Sequence, residues 1–240
     1  MAILIGTSGF SYRHWLQKFY PLDIEQSGRL SYYAKFFNTV ELNVSFYRLP
    51  SENAFKKWYD NTPSDFKFAL KGSRYITHTK KLFSSENSLK LFFERAKILG
   101  EKLSAVLWQF PQNFESNPER LKDFLKILQK YKCRHAFEFR HESWVSDEIY
   151  DILRKYNAAL VITDSPIFPK VEARTADFSY IRFHGGKELY LSEYSQKELD
   201  VWAEKISKWR ERGDVYAYFN NDANAYAVKN ALELKKLLEE

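Results

Sequence analysis

The sequence predicts an α/β protein, a single (β/α)8 barrel of the TIM type. Three observations point to it. Eight short apolar or alternating segments recur through the 240 residues, and most of the stretches between them carry helical periodicity. Polar residues gather at the C-terminal end of each of the eight segments, where such a barrel opens its mouth. Nothing between residues 1 and 240 reads as a linker, a low-complexity tract or a repeat, so the chain is expected to be one domain.

The first strand is expected in "AILIGTS" (2–8), followed by a helix in "SGRLSYYAKFF". "TVELN" (39–43) is the second, and the helix after it opens with Ser51 as N-cap behind Pro50. "FKFALK" (66–71) is the third. Its helix, "SENSLKLFFERAKILG", closes on Gly100, the residue type that accepts a left-handed end. "AVLWQF" (105–110) is the fourth, and the next helix has Asn117 as N-cap with Pro118 at its first position. "HAFEFR" (135–140) and "AALVITD" (158–164) are the fifth and sixth, separated by "SDEIYDILRKY". After the sixth, "SPIFPKVEARTADFS" (165–179) is too short and too broken by proline for a full helix, so the helix there is short or missing. "YIRFHG" (180–185) and "VYAYFNN" (215–221) complete the strands, and the last two helices follow them. A doubly wound open sheet is the competing arrangement, but the first turn, "GTSGFS", is not GxGxxG.

Composition narrows the classes. Hydrophobic residues make up 45% and aromatics 18%, ample for a large core. No apolar run approaches the roughly 20 residues that span a bilayer, and "MAILIGTSGFSY" lacks the basic start of a secretory signal. A cytoplasmic protein without a membrane partner is expected. Cys133 is the single cysteine, which removes a disulfide framework and a Cys-rich zinc site. The net charge of +6 is mild, but "KFALKGSRYITHTKK" (67–81) concentrates five cations with no acid.

The strand ends supply the candidate site. Glu41 and Asn43 share one face of the second strand, and Glu138 and Arg140 share one face of the fifth. Lys71 ends the third, Gln109 the fourth, Asp164 the sixth, His184 the seventh, and Asn220 and Asn221 the eighth. Charges facing a barrel interior must pair or reach water. Glu138 with Arg140 could simply pair, but seven polar neighbours favour a ligand pocket.

Taken together, "GTSGFSYRHW", "FYP" (19–21), "VELNVSFYRLP" (40–50), "FKFALK", "ITH" (76–78), "WQFP" (108–111), "FEFRHESW", "YIRFHG" and "YFNND" (218–222) resemble the YecE-like family, also called the domain-of-unknown-function 72 family. These motifs run in order along essentially the whole chain. The resemblance implies a (β/α)8 barrel and supplies no activity. By its fold the family is similar to endonuclease IV and the xylose isomerases, and a nucleic-acid or phosphate role follows only by that analogy. Family members often carry glycine near 225, where this chain reads "ANAYAVKNA".

Three chemistries compete at the mouth. A metal could draw on Glu41, His78, Glu138, His141, Asp164 and His184, but no tight signature such as HExxH appears and Lys71 and Arg140 oppose a cation, so an obligate metal is not expected. Paired carboxylates would use Glu41 and Glu138 as general acid and base, whereas on an anion-binding plan Asp164 or Glu138 would be the base and His184 the acid. Anion binding uses the most residues: Lys71, Arg140, Arg48, His184 and His78 as cations with His141 beside them, Gly6, Gly9, Gly185 and Gly186 for backbone N–H approach, Asn43, Gln109, Asn220 and Asn221 as neutral partners, and Tyr12, Trp15, Phe46, Tyr47 and Trp144 above. The expected function is a hydrolase or isomerase acting on a phosphate-bearing or sugar-like substrate. The alternative is a non-catalytic nucleic-acid-binding barrel.

Overall fold

The computed structural model describes residues 1–239. Its eight strands are β1 (Ile3–Thr7), β2 (Thr39–Leu42), β3 (Lys67–Lys71), β4 (Leu103–Gln109), β5 (Arg134–Glu138), β6 (Ala159–Asp164), β7 (Ser179–Phe183) and β8 (Val215–Phe219). Every pair is parallel, in the order β1-β8-β7-β6-β5-β4-β3-β2. The eight helices are α1 (Arg29–Tyr33), α2 (Val44–Tyr47), α3 (Glu52–Asp60), α4 (Glu86–Ala96), α5 (Pro118–Leu128), α6 (Asp147–Lys155), α7 (Gln196–Arg210) and α8 (Tyr226–Glu239). The predicted (β/α)8 barrel is therefore the fold. None of these helices is long and apolar enough to cross a membrane.

Local signals start the helices where the sequence places them. Ser51 accepts from the Ala54 amide and Asn117 from the Arg120 amide, and Ser195 with Glu198 forms a capping box at α7. Each such cap is worth about 1 kcal/mol. No helix follows β6. The 165–178 segment packs instead as a loop, with Phe168 and Phe178 buried. Thr175 anchors it by accepting from the Leu160 amide at 2.7 Å and donating to the Ala158 carbonyl at 2.7 Å.

The ring closes between β1 and β2 by an unusual route. Just past the end of β1, Gly9 donates to the Glu41 carbonyl of β2 at 2.7 Å. Below that point a side chain replaces the ladder: the Tyr33 hydroxyl accepts from the Thr7 amide at 3.0 Å and donates to the Thr39 carbonyl at 3.1 Å. The strands come so close that a Cβ on Gly6 would lie 2.3 Å from the Thr39 oxygen, so only glycine fits there.

Period-two alternation divides the core in two. Outward residues such as Val40, Val106, Phe137, Ile181 and Phe219 pack under the helices. Inward residues fill the barrel: alanines from β3, β4, β5 and β6 face Tyr180, Tyr216 and Tyr218 from β7 and β8. Small residues on one wall thus make room for three tyrosines on the other, and the packed tyrosines form a solid plug beneath the mouth.

Candidate active site

Above the tyrosine plug the inward positions turn polar, and one side chain organises them. Arg182, fully buried on β7, forks onto two glutamates. It meets Glu41 side-on, Nε to Oε2 at 3.0 Å and Nη2 to Oε1 at 2.6 Å, and Glu138 through Nη1 to Oε2 at 2.5 Å. Arg140 Nε binds the other oxygen of Glu138 at 2.8 Å. Glu41 also accepts from Ser8 Oγ at 2.6 Å and Tyr180 Oη at 2.7 Å.

The electrostatics follow from this saturation. Burial pushes the Glu41 carboxyl up, but the Arg182 charge and the hydrogen bonds from Ser8, Arg182 and Tyr180 outweigh it and leave the group below its ordinary value. Burial likewise opposes ionisation of Glu138, and Arg182, Arg140 and His184 hold it well below the usual carboxylate range. For Arg182 itself burial disfavours the charge, while the two glutamates raise its pKa above the usual value.

A cavity of about 820 Å³ opens over this layer, with Lys71, Gln109, Arg140, Arg182, Asn43 and Asn220 along its lower wall and Tyr12, Phe46, Tyr47 and Tyr190 higher up. His14, Arg74, His78 and Asp222 also line it. Glu41 and Glu138 do not; both are sealed beneath with no exposed surface. The floor is consequently cationic. Lys71 makes no ion pair among the described residues, because the oxygens of both glutamates are already held by guanidinium groups. Its ammonium lies 4.3 Å from the centre of the Phe46 ring. Burial, followed by the charge of Arg182, pushes its pKa down to about 7, with Glu138 and Glu41 only partly opposing.

Two imidazoles stay neutral beside it. Burial, opposed in part by Glu138, pushes His184 down to about 4. Its Nδ1 lies 3.1 Å from the Asn220 side-chain amide and its Nε2 3.6 Å from Glu138 Oε1. His78 sits on a π-helical turn, Tyr75–Thr79, and burial followed by the Lys71 charge takes it to about 4. Tyr12 rises to about 12 through burial and then the nearby Asp222.

Asn43, Lys71, His78, Gln109, Arg140, Asn220 and Tyr12 thus converge on one cavity, and His184 lies buried beside Glu138 below it. Glu41 lies too deep for the acid–base role expected of it: four donated hydrogen bonds occupy its oxygens and leave no free position for a substrate proton. Five other expectations fail on strand parity or packing. Asp164 follows the inward Thr163 and so faces outward, where Lys170 binds it at 2.6 Å. Asn221 follows the inward Asn220 and ties the loop to α8, donating to the Ser192 carbonyl and Asn230 Oδ1, both at 3.0 Å. Trp144 is buried outside the barrel, stacked on Phe139 at 4.7 Å with its indole N–H on the Phe114 carbonyl. His141 caps a short turn through Ser143 and lines a separate surface groove. Trp15 is likewise buried, bonded to Asp222 at 2.8 Å.

Sequence reasoning passed over Arg182. The signal was present: in Tyr180–Arg182–His184 it occupies an inward position between apolar outward neighbours, and an arginine in the middle of a barrel strand needs buried partners. Among the described residues, no three His, Cys, Asp or Glu side chains come together as a metal-binding group.

Comparison with known proteins agrees with this architecture. The family model described as "Protein of unknown function DUF72" matches residues 4–240. The UPF0759 protein YunF of Bacillus subtilis is 26% identical, with 99% of this chain and 95% of that protein covered. The UPF0759 protein YecE of Escherichia coli K12 is 25% identical over 94% of this chain and 88% of its own length. The crystal structure of a DUF72 family protein from Thermotoga maritima superposes with a TM-score of 0.90 at 33% identity, covering 100% of both chains. D-psicose 3-epimerase from Clostridium cellulolyticum, solved with D-tagatose, gives a TM-score of 0.61 at 9% identity over 100% of this chain and 97% of that one, a likeness of fold alone.

Proposed function

The chain belongs to the DUF72 family of proteins of unknown function, and from that premise we propose that its mouth is the active site of an enzyme acting on a small anionic substrate, phosphate-bearing or sugar-like, by hydrolysis or isomerisation. One observation carries the reading: Lys71, Arg140 and Arg182 converge on the floor of a single cavity while both neutralising carboxylates are sealed beneath it. A floor with that charge balance favours an anion. The 820 Å³ volume suits a sugar-sized molecule. Gln109, Asn43 and Asn220 supply neutral hydrogen bonds for hydroxyl groups, and Tyr12 and Phe46 supply apolar walls.

Within this reading Arg140 holds the anion, Arg182 adds its charge from beneath the floor, and Lys71, whose amine titrates near neutrality, transfers the proton. Glu41 and Glu138 orient the guanidinium groups. His184, held neutral, acts as a hydrogen-bond partner rather than a cation. Titration with inorganic phosphate and with a panel of sugar phosphates, followed by calorimetry and thermal unfolding, tests the binding. Saturable binding that is lost in Arg140→Gln is expected, and turnover by the unmodified protein should vanish in Lys71→Met. No binding of any anion at low salt would overturn the reading.

A second reading draws on the rim. Tyr47 and Tyr75 are 77% and 48% exposed beside Arg74 and Lys80, the pairing of aromatic faces with cations that grips single-stranded nucleic acid. Its mark is oligonucleotide binding that weakens steeply and linearly on log–log axes as salt rises. Binding that is absent at low salt removes it.

A further inference from the structure

We propose that Lys71 is a covalent nucleophile, whose ε-amine condenses with the carbonyl carbon of a small ketone or aldehyde carrying a carboxylate or phosphate to form a Schiff base. This rests on the anion-binding reading of the mouth, adds the chemical class of the substrate, and gives Lys71 a bond to carbon in place of proton transfer.

Position is the first argument. Lys71 ends β3 with its side chain inward, reaching the cavity floor, and its backbone is pinned by Ser45 Oγ on its carbonyl at 2.7 Å and by Gly72 N–H on the Leu107 carbonyl at 2.8 Å. An amine on a fixed stem can be presented to one carbon atom. The second argument is freedom from acids. Lys170 is held by Asp164, and Lys102, at the other end of the barrel, is held by the carbonyls of Tyr59 and Thr62. Lys71 has neither kind of partner in the hydrogen bonds and ion pairs of the described residues; an aromatic ring faces it instead. Third, Arg140 and Arg182 line the same floor, so the charges that would seat the substrate's anion also disfavour the ammonium form of the nucleophile. Burial adds to that effect, and the amine titrates at about 7. Desolvation together with neighbouring cations is the known physical means of making a lysine nucleophilic at neutral pH.

The chemistry balances without a further reagent. The nitrogen lone pair adds to the carbonyl carbon, and the C–O π pair moves to oxygen. The two protons of the neutral amine pass to that oxygen through the solvent admitted by the open mouth. The oxygen leaves as water, and the imine takes a proton from solvent to become the iminium. The carbon next to it can then lose a proton or a carbon substituent, because the iminium accepts the electron pair.

The test uses the full chain with pyruvate or dihydroxyacetone phosphate at neutral pH, with and without borohydride, read by intact mass and peptide mapping. The expected result is a single adduct of the probe's mass less one oxygen atom, on Lys71, formed at least about tenfold faster than on any other lysine, since an ordinary ε-amine is well under about 1% neutral at pH 7. Inorganic phosphate should slow it, and acetone, lacking the anion, should label more slowly. Lys71→Arg and Lys71→Met, each checked for folding by circular dichroism, should give none. Adducts spread evenly over surface lysines overturn the proposal. Absence of an adduct while phosphate still binds overturns the nucleophile and leaves the anion site standing. Absence of both adduct and phosphate binding overturns the two together.

Discussion

Replacing Arg182 by methionine removes the shared counter-ion of two carboxylates that have no exposed surface. Breaking a buried pair by deleting one partner costs about 3–5 kcal/mol, and because Arg182 serves both glutamates the upper end applies. For a chain of 240 residues that corresponds to a fall in Tm of roughly 10–20 °C, at about 2–4 °C per kcal/mol. The sign of the pH dependence should also reverse. In the native protein both carboxyls titrate below their ordinary values, so they add stability above the unfolded pKa of about 4.3 and lose it as pH falls through their folded pKa. In Arg182→Met, burial becomes the dominant influence on Glu41, its carboxyl rises above the unfolded value, and the variant gains stability as pH falls. That gain should approach about 1.4 kcal/mol per pH unit between the raised folded pKa and the unfolded pKa. Urea unfolding followed by circular dichroism from pH 7.5 to 5.5 measures both effects, and adding Glu41→Gln should restore much of the loss. A loss under about 1 kcal/mol at pH 7.5, or a variant that weakens on acidification, would refute the account of Arg182 as the organising buried charge.

Lys71 should titrate at about 7 in the free protein, as read by the pH dependence of its modification by an amine-directed reagent, with the midpoint moving upward when phosphate is bound; a midpoint near 10 would remove the free amine from the site. Tyr33→Phe deletes the hydroxyl that bridges Thr7 and Thr39 across the β1–β2 seam, and should cost about 1–3 kcal/mol in denaturant unfolding. Hydrogen exchange in that variant should quicken at the Thr7 amide before it does in β4 or β5. Ala225→Gly relieves a left-handed backbone (φ 64°) beside the mouth, worth about 1–2 kcal/mol against an unfolded-chain entropy cost of about 0.5–1 kcal/mol. The variant should be as stable as the parent or up to about 1.5 kcal/mol more so by thermal unfolding, and a clear loss would contradict that balance.

The strained turn at Asn224 and Ala225, both at positive φ, could not be read from the sequence, because neither residue is glycine. Other features were legible without coordinates because their causes are local. Ser51 and Asn117 start helices through atoms three residues away, and the two prolines of "SPIFPK" suppress a helix after β6 by removing donors from their own turn. Short apolar or alternating runs identified the eight strands for a similar reason, since each carries its own signal in a few consecutive residues.

By itself, then, the sequence determined a barrel of eight strands, a gap in its helical coat and a polar rim. Which rim residues share a site was decided by tertiary structure. Asp164 and Asn221 sit one residue beyond Thr163 and Asn220, and that single step turns each side chain out of the barrel. Glu41 and Arg182 are 141 residues apart, yet their bidentate contact determines that both carboxylates lie closed beneath the floor and that Lys71 is left without an acid. Contacts of that range depend on the stagger of strands around the closed ring, a property of all eight together that no single segment carries.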